Sequence, residues 1–252
     1  MKKNKKSENQ KALPKFFGIL ILAALFGGLL GGAAGFFSGT NLPDRIIDQI
    51  YRVLTIATPY SFWVITAVFG VAELANYRRA KTAFAAWDGE DEAVIEQVEE
   101  NLSWVLVLTS INQVLDFFFM SLLPLLDEGP VFTIVLAILG FLMSFAVLMF
   151  TQQKTVDFIK KINPEKKGSV YDMKFQKKWM DSCDENEQRQ IGQASFKAFK
   201  ATNYTCILLF VVLMVLSTFH HVGILPPFLV ALIFGVSQVS YGLECIRLGH
   251  HH

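Results

Sequence analysis

WVLVLTSINQVLDFFFMSLLPLL, residues Trp104 to Leu126, is long enough to cross a bilayer and carries Asp116 near its centre. A membrane helix needs about 20 predominantly apolar residues. An ionisable side chain at that depth costs roughly 2.5–3.5 kcal/mol on insertion scales, so it must face other helices or water rather than lipid. Thr109, Asn112 and Asp116 follow helical spacing with Ser110 and Gln113 beside them, which gives the span one polar flank that requires neighbours. Thr109, Asn112, Gln113 and Asp116 are therefore the candidate intramembrane polar cluster. Two roles are open to it: a buried carboxylate that fixes helix packing, or a site for a proton, an ion or a ligand.

Working outward, the rest of the chain has the same character. Of 252 residues, 52% are hydrophobic and 18% charged, below the ~25% charged of ordinary soluble domains. Mean hydropathy is +0.39, and the apolar residues fall in long runs rather than in a period of two or 3.6. This is an all-α polytopic membrane bundle. Residues 1–15 form a basic tail with six lysines, and residues 16–75 a first hairpin of spans. The first apolar run is too long for a signal peptide and lacks a clear cleavage site, so it reads as an uncleaved span. In it Gly27, Gly31 and Gly35 recur every four residues, the spacing of a helix-packing face. Between the two spans, residues 41–58 place Ile46, Ile47, Ile50 and Leu54 on one side and Asp44, Asp48 and Arg52 on another, as in a segment lying on the outer interface. Pro59 either starts the second span or kinks a helix already running. Glu73, near the inner end of that span, is expected to reach headgroup water or pair with Arg78 or Arg79.

Residues 76–103 carry three basic and seven acidic residues, a charge of −4. Asp88 is the expected N-cap of a helix with an apolar stripe of Val94, Ile95, Val98 and Leu102. Residues 104–150 make the second hairpin, turning at Asp127 to Pro130. Residues 151–200 carry eleven basic and seven acidic residues, a charge of +4, and are expected to pair with the acidic segment. Within them Ser169 and Asp172 form a capping-box pattern ahead of Tyr171, Phe175 and Trp179, interleaved with Lys174 and Lys178. Tyr171, Lys174, Phe175, Lys178 and Trp179 are thus the candidate contact surface for the membrane or a partner. Ser182 with Glu185 predicts the start of a further helix bearing Ile191, Ala194 and Ala198. Residues 201–247 form the third hairpin. The tail, 248–252, ends in His250, His251 and His252, either native or tag-derived, and carries no functional weight.

Of 23 Lys and Arg residues, only Arg45 and Arg52 fall in outer segments under this plan. The positive-inside rule then places both termini in the cytoplasm, with six spans as three hairpins and amphipathic helices on the inner side. Cys183, Cys206 and Cys245 have no metal spacing and fall near the cytoplasmic half, so reduced thiols are expected. Neither a metal nor a cofactor is implied. Phe69-Gly70-Val71-Ala72-Glu73 matches Phe234-Gly235-Val236-Ser237-Gln238 in outline, and Trp87 precedes Asp91-Glu92 much as Trp179 precedes Asp184-Glu185. Duplication or chance in an apolar sequence produces such likeness.

With Asn163-Pro164-Glu165-Lys166-Lys167-Gly168-Ser169-Val170-Tyr171-Asp172, Lys177-Lys178-Trp179 and Ser182-Cys183-Asp184-Glu185 in view, nearly the whole chain resembles domain of unknown function 3169, a family of bacterial multi-pass membrane proteins. The resemblance implies a Gram-positive plasma membrane and supplies no activity and no catalytic residue. The chain has no nucleotide-binding glycine loop, HExxH pair or GxSxG elbow, and no enzyme is expected. The first expectation is a sensor or regulatory scaffold embedded in the lipid bilayer, docking a cytoplasmic regulator or ATPase through its inner loops, with self-association open. The alternative is a small transporter, or the membrane subunit of an exporter, with Asp116 on the pathway. No nucleic-acid-reading motif is present.

Overall fold

The computed structural model describes residues 17–18, 21–22, 24–25, 27–29, 32, 42–127, 129–217 and 222–249. Among them every regular element is helical: α1 (Leu42–Ala86), α2 (Glu92–Ser121), a 3-10 turn (Leu123–Leu126), α3 (Val131–Ile162), the short α4 (Phe175–Met180), α5 (Glu185–Leu216) and α6 (Leu225–Gly249). Five helices are long and apolar enough to cross a membrane: Arg45–Ala86, Glu92–Ser121, Val131–Ile162, Glu185–Leu216 and Leu225–Leu248. The expected first span, residues 16–39, lies largely outside the described residues, as do the tail at 1–15 and His250 to His252. Gly27 is described and helical, and a Cβ placed there would meet nothing within 4 Å. Gly31 and Gly35 are outside.

The helices run through boundaries that hydropathy alone draws. Residues 42–58 and the second span form one helix, α1, with Pro59 inside it. A proline there removes one backbone donor, and nearby hydroxyls bond the carbonyls of the preceding turn: Thr58 Oγ1 donates to Leu54 O at 2.7 Å and Ser61 Oγ to Thr58 O at 2.8 Å. Likewise α3 continues twelve residues past Phe150 to Ile162, because TQQKTVDFIKKI contains no glycine or proline to stop it. Only at Pro124 does a span end early. Its ring nitrogen cannot donate to Met120, so α2 stops at Ser121 and Leu123–Leu126 tightens into the 3-10 turn.

Helix starts also differ from expectation. The N-cap of α2 is Asp91, whose Oδ1 accepts from Ala93 N at 2.9 Å. Asp88 instead accepts from the N–H groups of Glu90 and Asp91, closing the turn ahead of the helix. Two residues separate them because Gly89, at φ 96°, lets the chain turn again before it can wind. The expected box at Ser182 and Glu185 falls at Asp184 and Glu187: Asp184 Oδ1 accepts from Glu187 N at 2.8 Å, and Glu187 Oε2 from Asp184 N at 2.9 Å.

The chain divides into two compact units, Gln49–Ile191 and Met1–Asp48 with Gly192–His252. In the first, α2 buries Val98, Leu102, Val105, Thr109, Asn112 and Asp116, an alternation of four and three residues. That spacing is a heptad seam. One apolar cluster joins Ala80, Val98, Leu102 and Phe158, and a second joins Phe62, Leu126 and Ala137. Each full burial of such side chains contributes ~1.5–3 kcal/mol where water is the alternative. Phe62 meets Phe119 and Phe141 edge-on at 6.5 and 5.8 Å, and Tyr77 meets Phe158 at 5.7 Å. Gly140 permits the close approach of α1 and α3: a Cβ there would lie 2.7 Å from Trp63 Nε1 and 3.0 Å from Phe62 Cβ. In the second unit α5 and α6 pair through Phe199 stacked on Tyr241 at 4.6 Å and Phe210 against Phe234 at 6.5 Å.

Candidate functional site

Between the two apolar clusters the seam is polar. Thr109, Asn112 and Asp116 are buried at 0, 1 and 2% exposure, and Ser144 of α3 faces them at 0%. Ser144 Oγ donates to Asp116 Oδ2 at 2.5 Å, a hydroxyl bond to a carboxylate. Thr109 Oγ1 returns its proton to Leu106 O at 2.9 Å. Among the described residues, Asp116 Oδ1 and both polar atoms of Asn112 are buried without a hydrogen-bond partner. Gln113 turns away from this face and is only half-buried, since it sits one residue, or ~100°, from Asn112. Three of the four expected cluster residues therefore meet.

Glu73 is buried as well, against expectation. It lies on the α1 face that carries Phe62, Thr66, Tyr77 and Ala80, is 2% exposed, and its Oε1 has no partner among the described residues. Arg78 and Arg79 are exposed and make no described ion pair with it. The helical spacing back to Phe62 was the available signal. A cavity of ≈ 270 Å³ opens beside it, lined by Gly70, Glu73, Tyr77, Phe150, Thr151 and Lys154.

The second locus is the segment between α3 and α5. Ser169 and Asp172 do not begin a helix. Ser169 Oγ instead donates to Gln153 Oε1 at 3.0 Å, which also accepts from Val170 N at 2.8 Å. Asp172 accepts from Lys174 N and from Lys178 Nζ at 2.6 Å. The Lys178 bond first, then the Lys174 N–H, hold the Asp172 carboxyl below the usual range. The helix there spans only Phe175–Met180, with Phe175 and Trp179 half-buried and 5.6 Å apart, while Tyr171, Lys174 and Lys178 are exposed. A single amphipathic helix through Tyr171, Phe175 and Trp179 is thus replaced by a folded loop.

Long-range polar contacts pin that loop. Lys160 Nζ donates to Gly168 O, Ser182 Oγ accepts from Lys167 N at 3.0 Å, and Asn163 Nδ2 donates to Glu99 Oε1 at 2.9 Å. Lys166 is central, buried at 6% exposure, paired with Glu187 and 3.5 Å from Cys183 Sγ. Burial works to lower its ammonium, but the bond to Glu187, the Cys183 sulfur and the Glu187 charge hold it above the ordinary lysine range. Gly168, at φ 124°, is where a Cβ would strike Phe175 Cδ2 at 2.8 Å, so the loop requires glycine there. The −4 and +4 segments meet through Asn163–Glu99 and the Ala80, Val98, Leu102 and Phe158 cluster. Among the described residues no ion pair joins them.

No three His, Cys, Asp or Glu side chains among the described residues converge in a metal-holding group. Cys183 and Cys206 are buried free thiols and Cys245 an exposed one. Residues 10–244 match the family described as Protein of unknown function (DUF3169). No curated protein and no solved structure matches. The chain belongs to the DUF3169 family.

Proposed function

We propose that this DUF3169 family member is a non-enzymatic sensor or regulatory scaffold of the bacterial plasma membrane, and that its loop at residues 163–184 docks a cytoplasmic protein. In this reading six spans form three hairpins and both termini are cytoplasmic, because all but two of the 23 Lys and Arg residues then lie inside. The observation that carries it is the prefolded loop. Six or so tertiary hydrogen bonds hold a surface whose tip exposes Met173 at 102% and Tyr171 at 64% beside Lys174, Lys177 and Lys178. A surface already ordered loses little conformational entropy on binding. Its lysines favour an acidic partner such as a regulator or an ATPase subunit.

A photocrosslinker placed at Met173 in living cells tests this. A discrete cytoplasmic protein is expected on the crosslinked chain, lost when Tyr171 and Lys178 are both changed to Glu. Crosslinking to lipid alone, or a product indifferent to those changes, contradicts docking.

A second reading, transport, is favoured by one observation: among the described residues Asp116 Oδ1 and Asn112 are buried without hydrogen-bond partners in the C-terminal half of a helix long enough to cross a membrane. Intramembrane carboxylates mark ion and proton pathways.

A further inference from the structure

The polar layer has more acceptors than the protein satisfies. Thr66 Oγ1, Glu73 Oε1, Asn112 Oδ1 and Asp116 Oδ1 are buried with no hydrogen-bond partner among the described residues. Asn112 itself is 1% exposed and Glu73 2%. Desolvated polar groups are rarely left so, and two carboxylates are the costliest to leave. Among the described residues no ion pair reaches Asp116 or Glu73; the stretches Trp63 to Tyr77, Val105 to Ser121 and Val131 to Gln153 contain no lysine, arginine or histidine, and the nearest cation, Lys154, is an exposed residue at the mouth of the cavity beside Glu73.

The register of the helices places these oxygens. Phe62 of α1 touches Phe119 of α2. One turn on from Phe62 is Thr66 and one turn back from Phe119 is Asp116, so Thr66 stands level with the carboxylate that Ser144 holds by its other oxygen. Glu73 lies seven residues further along α1, about 10 Å at 1.5 Å per residue. The two carboxylates thus stand at separate levels, and at the level of Asp116 one ionised carboxylate balances a single positive charge. Oxygen donors of this kind suit hard cations rather than soft ones.

Access is built in as well. The ≈ 270 Å³ cavity between α1 and α3 reaches Glu73, with Lys154 and Thr151 also in its lining. Gly70 borders open space there, since a Cβ placed on it would meet nothing within 4 Å.

We propose that the layer binds a monovalent alkali cation, received at Glu73 from the cavity and held at depth by Asp116, Asn112 and Thr66. The inference rests on the same carboxylate as the transport reading but requires binding only.

The test uses the full chain in lipid nanodiscs, with its thermal midpoint measured in lithium, sodium, potassium and choline chlorides at equal ionic strength. At least one alkali ion is expected to raise the midpoint above choline, increasingly with concentration, as binding to the folded state requires. Asp116→Asn and Asn112→Ala lose the rise, and Gly70→Leu, which fills the cavity, slows labelling of Glu73 by a carbodiimide. Identical midpoints in all four salts, or a rise that survives Asp116→Asn and Asn112→Ala alike, overturn the proposal. Ion flux in proteoliposomes is read separately: binding without flux ends the transport reading and leaves this one standing.

Discussion

Ser144→Ala lowers the free energy of unfolding by about 1.5–3 kcal/mol, the range for a hydrogen bond to a charged group. The bond it removes is 2.5 Å long, wholly buried, and the one described hydrogen bond of the Asp116 carboxylate to another side chain. Adding Asp116→Leu to Ser144→Ala is expected to recover most of the loss, since an apolar pair leaves no carboxylate to satisfy. Denaturant or thermal unfolding in detergent, arranged as a double-mutant cycle, measures both. Independent effects of the two substitutions would mean that the polar layer is not coupled across α2 and α3.

Lys166→Met unlocks the loop at residues 163–184. Breaking a buried ion pair costs about 3–5 kcal/mol, and because Glu187 is 36% exposed the loss belongs at the low end, about 3 kcal/mol. Methionine keeps the length of the stem and removes only the ammonium, so lost packing contributes little. Cys183, 8% exposed and 3.5 Å from the Lys166 ammonium, reports the opening. Its alkylation is expected to accelerate more than tenfold, since each 1.4 kcal/mol is about a factor of ten in the open population. Glu187→Gln keeps an acceptor for the Asp184 N–H and should give a smaller acceleration. An unchanged rate in Lys166→Met would place the stability of the loop elsewhere.

Periodicity made the core of this fold legible. Thr109, Asn112 and Asp116 could be placed on one buried face because a polar stripe in an apolar helix has nowhere else to go, and Val98 and Leu102 extend that face without a break. Gln113 is close to them in sequence only, because neighbouring residues on a helix point in different directions. Nearness to the basic pair Arg78 and Arg79 suggests an ion pair for Glu73, but its seven-residue spacings to Thr66 and Ala80 decide its direction. Hydropathy also ended helices where apolar residues ran out, at Phe150 and Tyr77, while backbone hydrogen bonding continues until something interrupts it.

The loop was less readable. Ser169 and Asp172 have the pattern of a capping box, but Ser169 is claimed by Gln153, sixteen residues earlier, and Asp172 by Lys178. A local motif cannot announce a competitor from another helix. The Lys166–Glu187 pair is similarly invisible, twenty-one residues apart and made only once α5 has folded back. By contrast the two Trp-to-Asp-Glu segments do share a physical role, since Asp91 and Asp184 each cap the helix that follows.

The proposed role requires the loop at residues 163–184 to lie on the cytoplasmic side, and Met173, fully exposed, is the position at which to measure it. With Met173→Cys in otherwise native protein, a membrane-impermeant maleimide should leave position 173 unmodified in intact cells and modify it in inside-out vesicles, as read by mass spectrometry. Modification of position 173 in intact cells would put the loop outside and contradict the account.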